Sequence, residues 1–214
     1  MTTAIIGMGN IGRTLARHLT DGGERVLLVD HTASKAQDLA NELGETAQAV
    51  VDVKDALDAA DYVIPTIWFA QQKEFFEQNA DSLHGKVIID PSNAIEFEDN
   101  GPVKIIGENE SAGELNAARV PSDAHFVKTF GTLSADELRD LAHSDPRFAV
   151  FYATDDDVAG AAAEKLIAVA GFDPVNVGGI DQSGRIEVFG DLHPFGGLDG
   201  KPLTKAQAED RLAK

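Results

Sequence analysis

Ala4-Ile5-Ile6-Gly7-Met8-Gly9-Asn10-Ile11-Gly12 opens the chain with an apolar run that enters a glycine-rich turn. Ile11, Leu15 and Leu19 follow at i, i+4 and i+8, the spacing of one helix face, and Gly22 can end that helix. Strand, glycine turn and helix in this order build a phosphate-binding corner. Gly7 permits the turn out of the strand, Gly9 lets backbone approach a pyrophosphate, and Gly12 lets the helix pack closely on the sheet. The helix N-terminus points unpaired N–H groups at the anion. Gly7-x4-Gly12-Arg13-Thr14 comes close to a P-loop, but Arg13 stands where that motif needs lysine. Asp30 lies eighteen residues after Gly12, where a dinucleotide site places its ribose ligand. The corner reads as a dinucleotide cradle.

Working outward, Arg25–Asp30 reads as a second strand, apolar enough to be buried on both faces. Ser34 is placed to cap a helix that carries Ala36, Leu39, Ala40 and Leu43 and closes at Gly44. Strands are predicted at 47–51, 62–67 (with Pro65 near its end) and 86–90. Helices are predicted at 55–60 and 70–80. Residues 91–121 form the longest connection, with one helix over 112–119. Strands at 125–130, 148–152 and 174–177 then alternate with helices at 135–143 and 158–170. Asp155-Asp156-Asp157 resembles an acid site, yet its position at a helix start makes it a cap. The alternation predicts an α/β, doubly wound, mainly parallel sheet of Rossmann type, with ligand at the carboxyl ends of the strands. Residues 1–178 form the nucleotide-binding domain, and 179–214 form a short, glycine-rich C-terminal extension ending in a helix over 205–213.

The chain has 18 basic and 36 acidic residues among 214, a net charge of −18, and 43 % hydrophobic content, enough for a real core. A field of that sign opposes nucleic acid and anionic membrane. With no cysteine, disulfides, zinc thiolates and thiol catalysis are excluded, and the six histidines show no short metal-ligand spacing. No basic-then-apolar leader opens the chain, and no apolar run approaches the roughly 20 residues of a membrane span. A cytoplasmic location is expected.

The segments GMGNIG (7–12), PTIWFA (65–70), IIDPSNA (88–94), SAGELNAARVPSDAHFVKTFGTL (111–133), FYATDDDVAGAAAEKLIAVAGF (151–172) and GGIDQSGRIE (178–187) together resemble one family. It is that of the NADP oxidoreductases dependent on a deazaflavin coenzyme, with short relatives akin to the nucleotide-binding module of membrane ferric reductases. The resemblance implies hydride transfer between a nicotinamide nucleotide and a planar, flavin-like acceptor. It implies that Gly7, Met8, Gly9, Asn10, Ile11 and Gly12 hold the pyrophosphate and that Thr66, Ile67 and Trp68 flank the ribose and nicotinamide, with Pro91 to Asn93 on the nicotinamide side. Phe130, Gly131, Thr132 and Leu133 would face the acceptor. Gly131 stands where the family usually carries His or Asn, which would leave room for another ring. After the second strand, NADP-preferring members carry arginines, whereas this chain has Asp30-His31-Thr32-Ala33-Ser34-Lys35. Asp30 would favour the free ribose diol of NAD. Thr32, Ser34 and Lys35, beside His31, suit the 2′-phosphate of NADP if Asp30 turns away.

Carbonyl reduction needs a proton donor beside the hydride path. No Tyr-x-x-x-Lys pair is present, which argues against short-chain dehydrogenase chemistry. Lys128, in the acceptor strand, is one candidate donor; its plainer role is a strand-end cation reaching water or pairing a carboxylate. His193, on the tail, is the other, with an exposed tail histidine as the plainer reading. Arg185 is a candidate partner for an anionic substrate. Transfer between two stacked rings needs no protein acid, and Trp68, Phe69 and Phe130 suit such a site. The expected activity is therefore an NAD(P)-dependent oxidoreductase with a small-molecule acceptor. The alternatives are a non-catalytic NAD(P) redox sensor and a small carbonyl or imine reductase. The short tail leaves the cleft open, so a homodimer is expected to cover it.

Overall fold

A computed structural model describes residues 1–213. Six strands form its parallel frame: β1 (Thr2–Ile6), β2 (Arg25–Val29), β3 (Ala47–Ala49), β4 (Tyr62–Pro65), β5 (Val87–Asp90) and β8 (His125–Thr129). They lie in one eight-stranded sheet with β9 (Ala149–Ala153) and β10 (Asp173–Asn176), in the order β10-β9-β8-β5-β4-β1-β2-β3. The order reverses at β1 and β4, which creates the crevice where an open α/β sheet takes its ligand.

Both faces of the sheet are buried, and successive residues alternate between them. Ile5, Leu28, Ile64, Ile89 and Val127 point to one side, where α1 (Asn10–Asp21), α2 (Ala33–Leu43), α6 (Ala135–Asp140) and α7 (Asp157–Val169) supply Leu15, Leu39, Leu138 and Leu166. Ala4, Ile6, Val29, Val63 and Ile88 point to the other, against Leu57 of α3 (Val53–Ala59) and Phe75, Phe76 and Leu83 of α4 (Phe69–Leu83). The helix caps follow ordinary chemistry. Asp52 accepts the Lys54 N–H, Ser134 and Glu137 form a capping box, and Asp156 accepts the Ala159 N–H at 2.9 Å. The three-aspartate run thus caps a helix. Ser34 does not cap α2; it lies within the helix, and Thr32 occupies the cap position.

Three expectations are corrected. The last two strands are not part of the parallel run: β9 pairs antiparallel with β8, and β10 follows β9. Between β8 and β9, α6 is only six residues, about 9 Å long. It docks on α1 instead of crossing back along the sheet, and β9 returns beside β8 in the opposite sense. Second, the connection over 91–121 contains a hairpin, β6 (Ile95–Glu98) with β7 (Gly101–Lys104), as well as α5 (Ala112–Ala117). The alternation of Ile95 and Phe97 with Glu96 and Glu98, before Asp99-Asn100-Gly101, was its signal. Third, the tail begins with structure: a 3-10 turn (Ile180–Gln182) and α8 (Ser183–Ile186) precede the last helix, α9 (Lys205–Leu212). Ile186, Leu192 and Ala208 of this tail pack on Ala149, Phe151, Ala153 and Val175, covering a face of β9 and β10 that would otherwise meet water. Among the described residues no helix is long and apolar enough to cross a membrane.

Candidate functional site

The strand register places the glycine turn. Ile6 pairs with Val29 of β2 on one side and Pro65 of β4 on the other, so Gly7, Asp30 and Thr66 leave the sheet side by side. Each then does a different job. Gly7 adopts φ +102° and donates its N–H to the Val29 carbonyl at 2.7 Å. Thr66 donates its hydroxyl to the Gly7 carbonyl at 2.6 Å. A Cβ on Gly12 would lie 2.0 Å from that carbonyl and 2.5 Å from the Thr66 hydroxyl, so only glycine permits the helix to start this close. A Cβ on Gly9 would meet nothing within 4 Å. Gly9 is also the N-cap of α1, with no side chain capping the helix, and with Asn10 and Ile11 it lines the cleft. An open helix N-terminus beside bare glycine backbone fits a pyrophosphate.

Met8 is not part of that cradle. Its side chain is buried, and its N–H donates to Asp30 Oδ2 at 2.7 Å. The other Asp30 oxygen accepts the Thr32 N–H at 2.8 Å. Burial acts against the charge of Asp30, but the two backbone donors, with His31 and Lys35 nearby, outweigh it and hold the carboxyl below its ordinary range. The carboxylate therefore faces inward as a brace between β2 and the glycine turn. His31 and Lys35 are exposed and Thr32 half-buried at the end of the same strand.

The cleft, about 430 Å³, runs along the carboxyl ends of β1, β4, β5 and β8. Thr66, Ile67, Trp68 and Phe69 form one wall, and Pro91, Ser92 and Asn93 the floor. Leu133, Ser134 and Ala135 approach from the start of α6. The sequence missed the rest of the lining: Ile95, Phe97 and Pro102 of the hairpin, with Val188 and Phe195 of the tail. Three aromatic rings stand at its mouth with most of their surface open: Trp68 (60 % exposed), Phe97 (67 %) and Phe195 (57 %). Trp68 and Phe97 meet edge to face at 6.3 Å.

His193 is in the lining, but it is not an exposed tail residue. It is 1 % exposed, and its ring stacks on Phe195 at 5.8 Å. Nδ1 accepts the Phe195 N–H at 3.0 Å, which leaves Nε2 to carry the proton and donate to the Gly131 carbonyl at 3.2 Å. Burial outweighs the Gly131 contact and pushes the imidazole down to about 4, so it is neutral at pH 7. Among the described residues it is the single ionisable side chain in the lining.

The remaining candidates fall outside the cleft. Phe130 is fully buried in the core with φ +62°, and Thr132 is buried beside it in sequence; neither faces an acceptor. Gly131 leaves no free space for another ring, because a Cβ there would lie 2.6 Å from the Pro91 carbonyl. Its own carbonyl instead ties Asn93 Nδ2, at 3.0 Å, and His193 to one point. Arg185 is paired in two-pronged fashion with Asp191, at 3.0 and 2.9 Å, and faces no substrate. Lys128 does not reach water. It is 1 % exposed, bonded to Asp90 Oδ2 at 3.0 Å and to the Ser92 carbonyl, with Glu187 Oε1 at 3.8 Å. Asp90 and Lys128 are register partners on adjacent strands, which explains the pairing. Among the described residues no three acidic, histidine or cysteine side chains could hold a metal ion.

Residues 2–94 match the family model described as NADP oxidoreductase coenzyme F420-dependent. A hypothetical protein from Sinorhizobium meliloti has a similar structure, with TM-score 0.81, 27 % identity and 96 % of each chain covered. A presumed F420-dependent NADP reductase from Arthrobacter sp. FB24 superposes with TM-score 0.73 at 24 % identity, covering 86 % of this chain and 87 % of that one. An imine reductase from Pseudomonas sp. shares the fold at TM-score 0.62 and 20 % identity; 83 % of this chain aligns, but only 55 % of the reductase. No curated protein matches in sequence. Over residues 2–94 this chain is similar to the coenzyme F420-dependent NADP oxidoreductases.

Proposed function

We propose that this protein is an NADP(H)-dependent oxidoreductase that moves hydride between the nicotinamide and a planar, flavin-like or other small uncharged acceptor. The observation that carries the reading is the cleft itself: an open helix N-terminus at one end, three exposed aromatic rings at its mouth, and one neutral histidine as its only ionisable side chain. When bound, the nucleotide supplies the hydride. Gly9, Asn10 and Ile11 hold its pyrophosphate, Thr66 fixes the turn beneath it, and Trp68, Phe97 and Phe195 shield the reacting rings from water. His193 has both nitrogens engaged, so it positions the tail against Gly131 and is no acid.

The inward turn of Asp30 supports NADP over NAD. Both carboxylate oxygens are held by backbone, and His31 Nδ1 lies 3.1 Å from Oδ1, which leaves Thr32 and Lys35 to meet a 2′-phosphate. The test is equilibrium binding of NADPH and NADH, followed by the emission of Trp68, the only tryptophan. It is paired with transfer of deuterium from 4-deuterated NADPH to riboflavin or a deazaflavin. Tighter binding of NADPH and label in the reduced acceptor are expected. Absence of binding at millimolar nucleotide would end this reading, and tight binding without any transfer would favour a redox sensor.

A further inference from the structure

Behind the floor of the cleft lies a buried polar cluster that stacked-ring hydride transfer does not use. Lys128 and Asp90 are its ion pair, Glu187 stands 3.8 Å from the ammonium, and Gln72, Asn116 and Ser92 complete it. Burying an ammonium between two carboxylates is expensive unless each member is paired and hydrogen-bonded. Here nearly every donor and acceptor is assigned. Glu187 accepts the N–H groups of Ala112 and Gly113, both at 2.8 Å. Arg119 donates to Asn116 Oδ1 at 2.8 Å, which turns the Asn116 amide nitrogen toward Asp90, Gln72 and Ser92.

That assignment fixes Ser92. Its hydroxyl oxygen has two partners, Asn116 Nδ2 at 3.3 Å and Lys128 Nζ at 3.4 Å, and both can only donate. The hydroxyl therefore accepts on the cluster side, and its own hydrogen has no acceptor among the described residues. Ser92 is also the one member of the cluster that lines the cleft. The hydroxyl is thus a donor left over at a residue of the cleft floor, between Pro91 and Asn93.

Resting on the proposed hydride transfer, we infer that Ser92 is the proton port of this site: its hydroxyl donates to a heteroatom of the acceptor and is recharged by the Lys128 ammonium. As hydride arrives at the acceptor carbon, a C–H bond breaks at the nicotinamide and another forms on the acceptor. Two electrons pass with it, oxidising one ring and reducing the other. Ser92 gives its proton to the conjugated nitrogen or oxygen where the negative charge would settle, Lys128 Nζ, 3.4 Å away, replaces it, and the lysine regains a proton from solvent between turnovers. This path also resolves how Lys128, fully buried, can serve a cleft that it does not line. Ser92 is the catalytic residue, and Lys128 acts only through it.

The experiment compares wild type, Ser92→Ala and Ser92→Thr. NADPH affinity is read by Trp68 emission, and riboflavin affinity by its own fluorescence in the presence of NADP⁺. NADPH oxidation is followed with riboflavin, menadione and 1-pyrroline in H₂O and D₂O. Ser92→Ala is expected to bind NADPH within twofold of wild type and riboflavin roughly five- to tenfold more weakly, as for one lost hydrogen bond. It should turn over at least roughly tenfold slower, without the wild-type solvent isotope effect. Ser92→Thr, which keeps the hydroxyl, should retain both. Ser92→Ala matching wild type in riboflavin binding and rate overturns the proton port and leaves the hydride reading standing. A wild type that binds NADPH but oxidises it with none of the three acceptors removes both. Equal loss in the Ala and Thr variants assigns Ser92 to packing alone and overturns the port.

Discussion

The Asp30 carboxylate accepts the backbone N–H of Met8 across twenty-two residues of sequence, at 2.7 Å. The end of β2 thereby holds the glycine turn after β1 in the bent form that exposes the start of α1. In the proposed reading Asp30 acts on the nucleotide through the turn, not through the ribose.

Asp30→Ala should therefore weaken NADPH and NADH together, by roughly tenfold each, and lower stability by about 1–3 kcal/mol for two orphaned backbone donors. Isothermal titration with both nucleotides and urea denaturation check this; loss of NADH binding alone would return Asp30 to the ribose. Its carboxyl is held below the ordinary value, so its stabilisation is complete above the unfolded value near 4 and lost as the pH falls through the folded one.

Gly9 and Gly12 should fail in opposite ways. Gly12→Ala drives a Cβ to 2.0 Å from the Gly7 carbonyl, and backbone cannot move aside cheaply. A loss of about 3 kcal/mol or more is expected, read as a large drop in melting temperature. Gly9→Ala meets no protein atom and has φ −75°, which alanine adopts freely. It should melt within a few degrees of wild type yet bind NADPH at least roughly tenfold more weakly, because its methyl stands in the path of the pyrophosphate.

Removing Lys128 alone leaves Asp90 charged and buried. Lys128→Met should cost about 3–5 kcal/mol in chemical denaturation. The double variant Asp90→Asn, Lys128→Met should lose clearly less than the two single losses combined, the mark of a coupled pair. Additive losses would show that the two side chains contribute independently.

His193 makes the fold acid-sensitive in a defined window. Its folded value, about 4, lies below the unfolded value near 6.5, so the unfolded chain binds the extra proton first. Stability contributed by the neutral ring is present above pH 6.5, falls as pH drops toward 4, and levels off below. The total change is up to roughly 3 kcal/mol. Urea midpoints between pH 7 and 4 should show this slope for wild type and a flatter one for His193→Phe.

The proposed nucleotide end of the site could be read from one dimension because it is local. Strand, glycine turn and helix occupy residues 2–21, and each glycine's role follows from backbone sterics and helix-end chemistry within that segment. The same holds for the aspartate cap of α7 and for the two-faced burial of β1, β2 and β4, whose periodicity is written in consecutive residues. Even the hairpin carried its alternation and turn residues openly.

The far end of the cleft, the proposed acceptor end, is not local, and its lining is set by the tertiary structure. Phe130 and Gly131 looked like site residues by their place after a strand, but a positive φ at Phe130 and the close Pro91 carbonyl turn that segment into the core. Lys128 was recognisable as unusual; that Asp90 sits beside it depends on the register of β5 and β8, thirty-eight residues apart. His193 became a buried, neutral ring only when Phe195 and Gly131 took both its nitrogens. The aromatic mouth joins the end of β4, a hairpin and the tail. Sequence alone specifies this protein's glycine cradle, because short-range backbone geometry suffices. Which side chains line the rest of the cleft is set by long-range packing, where a neighbour across the sheet, not along the chain, determines whether a group is buried, paired or free to donate.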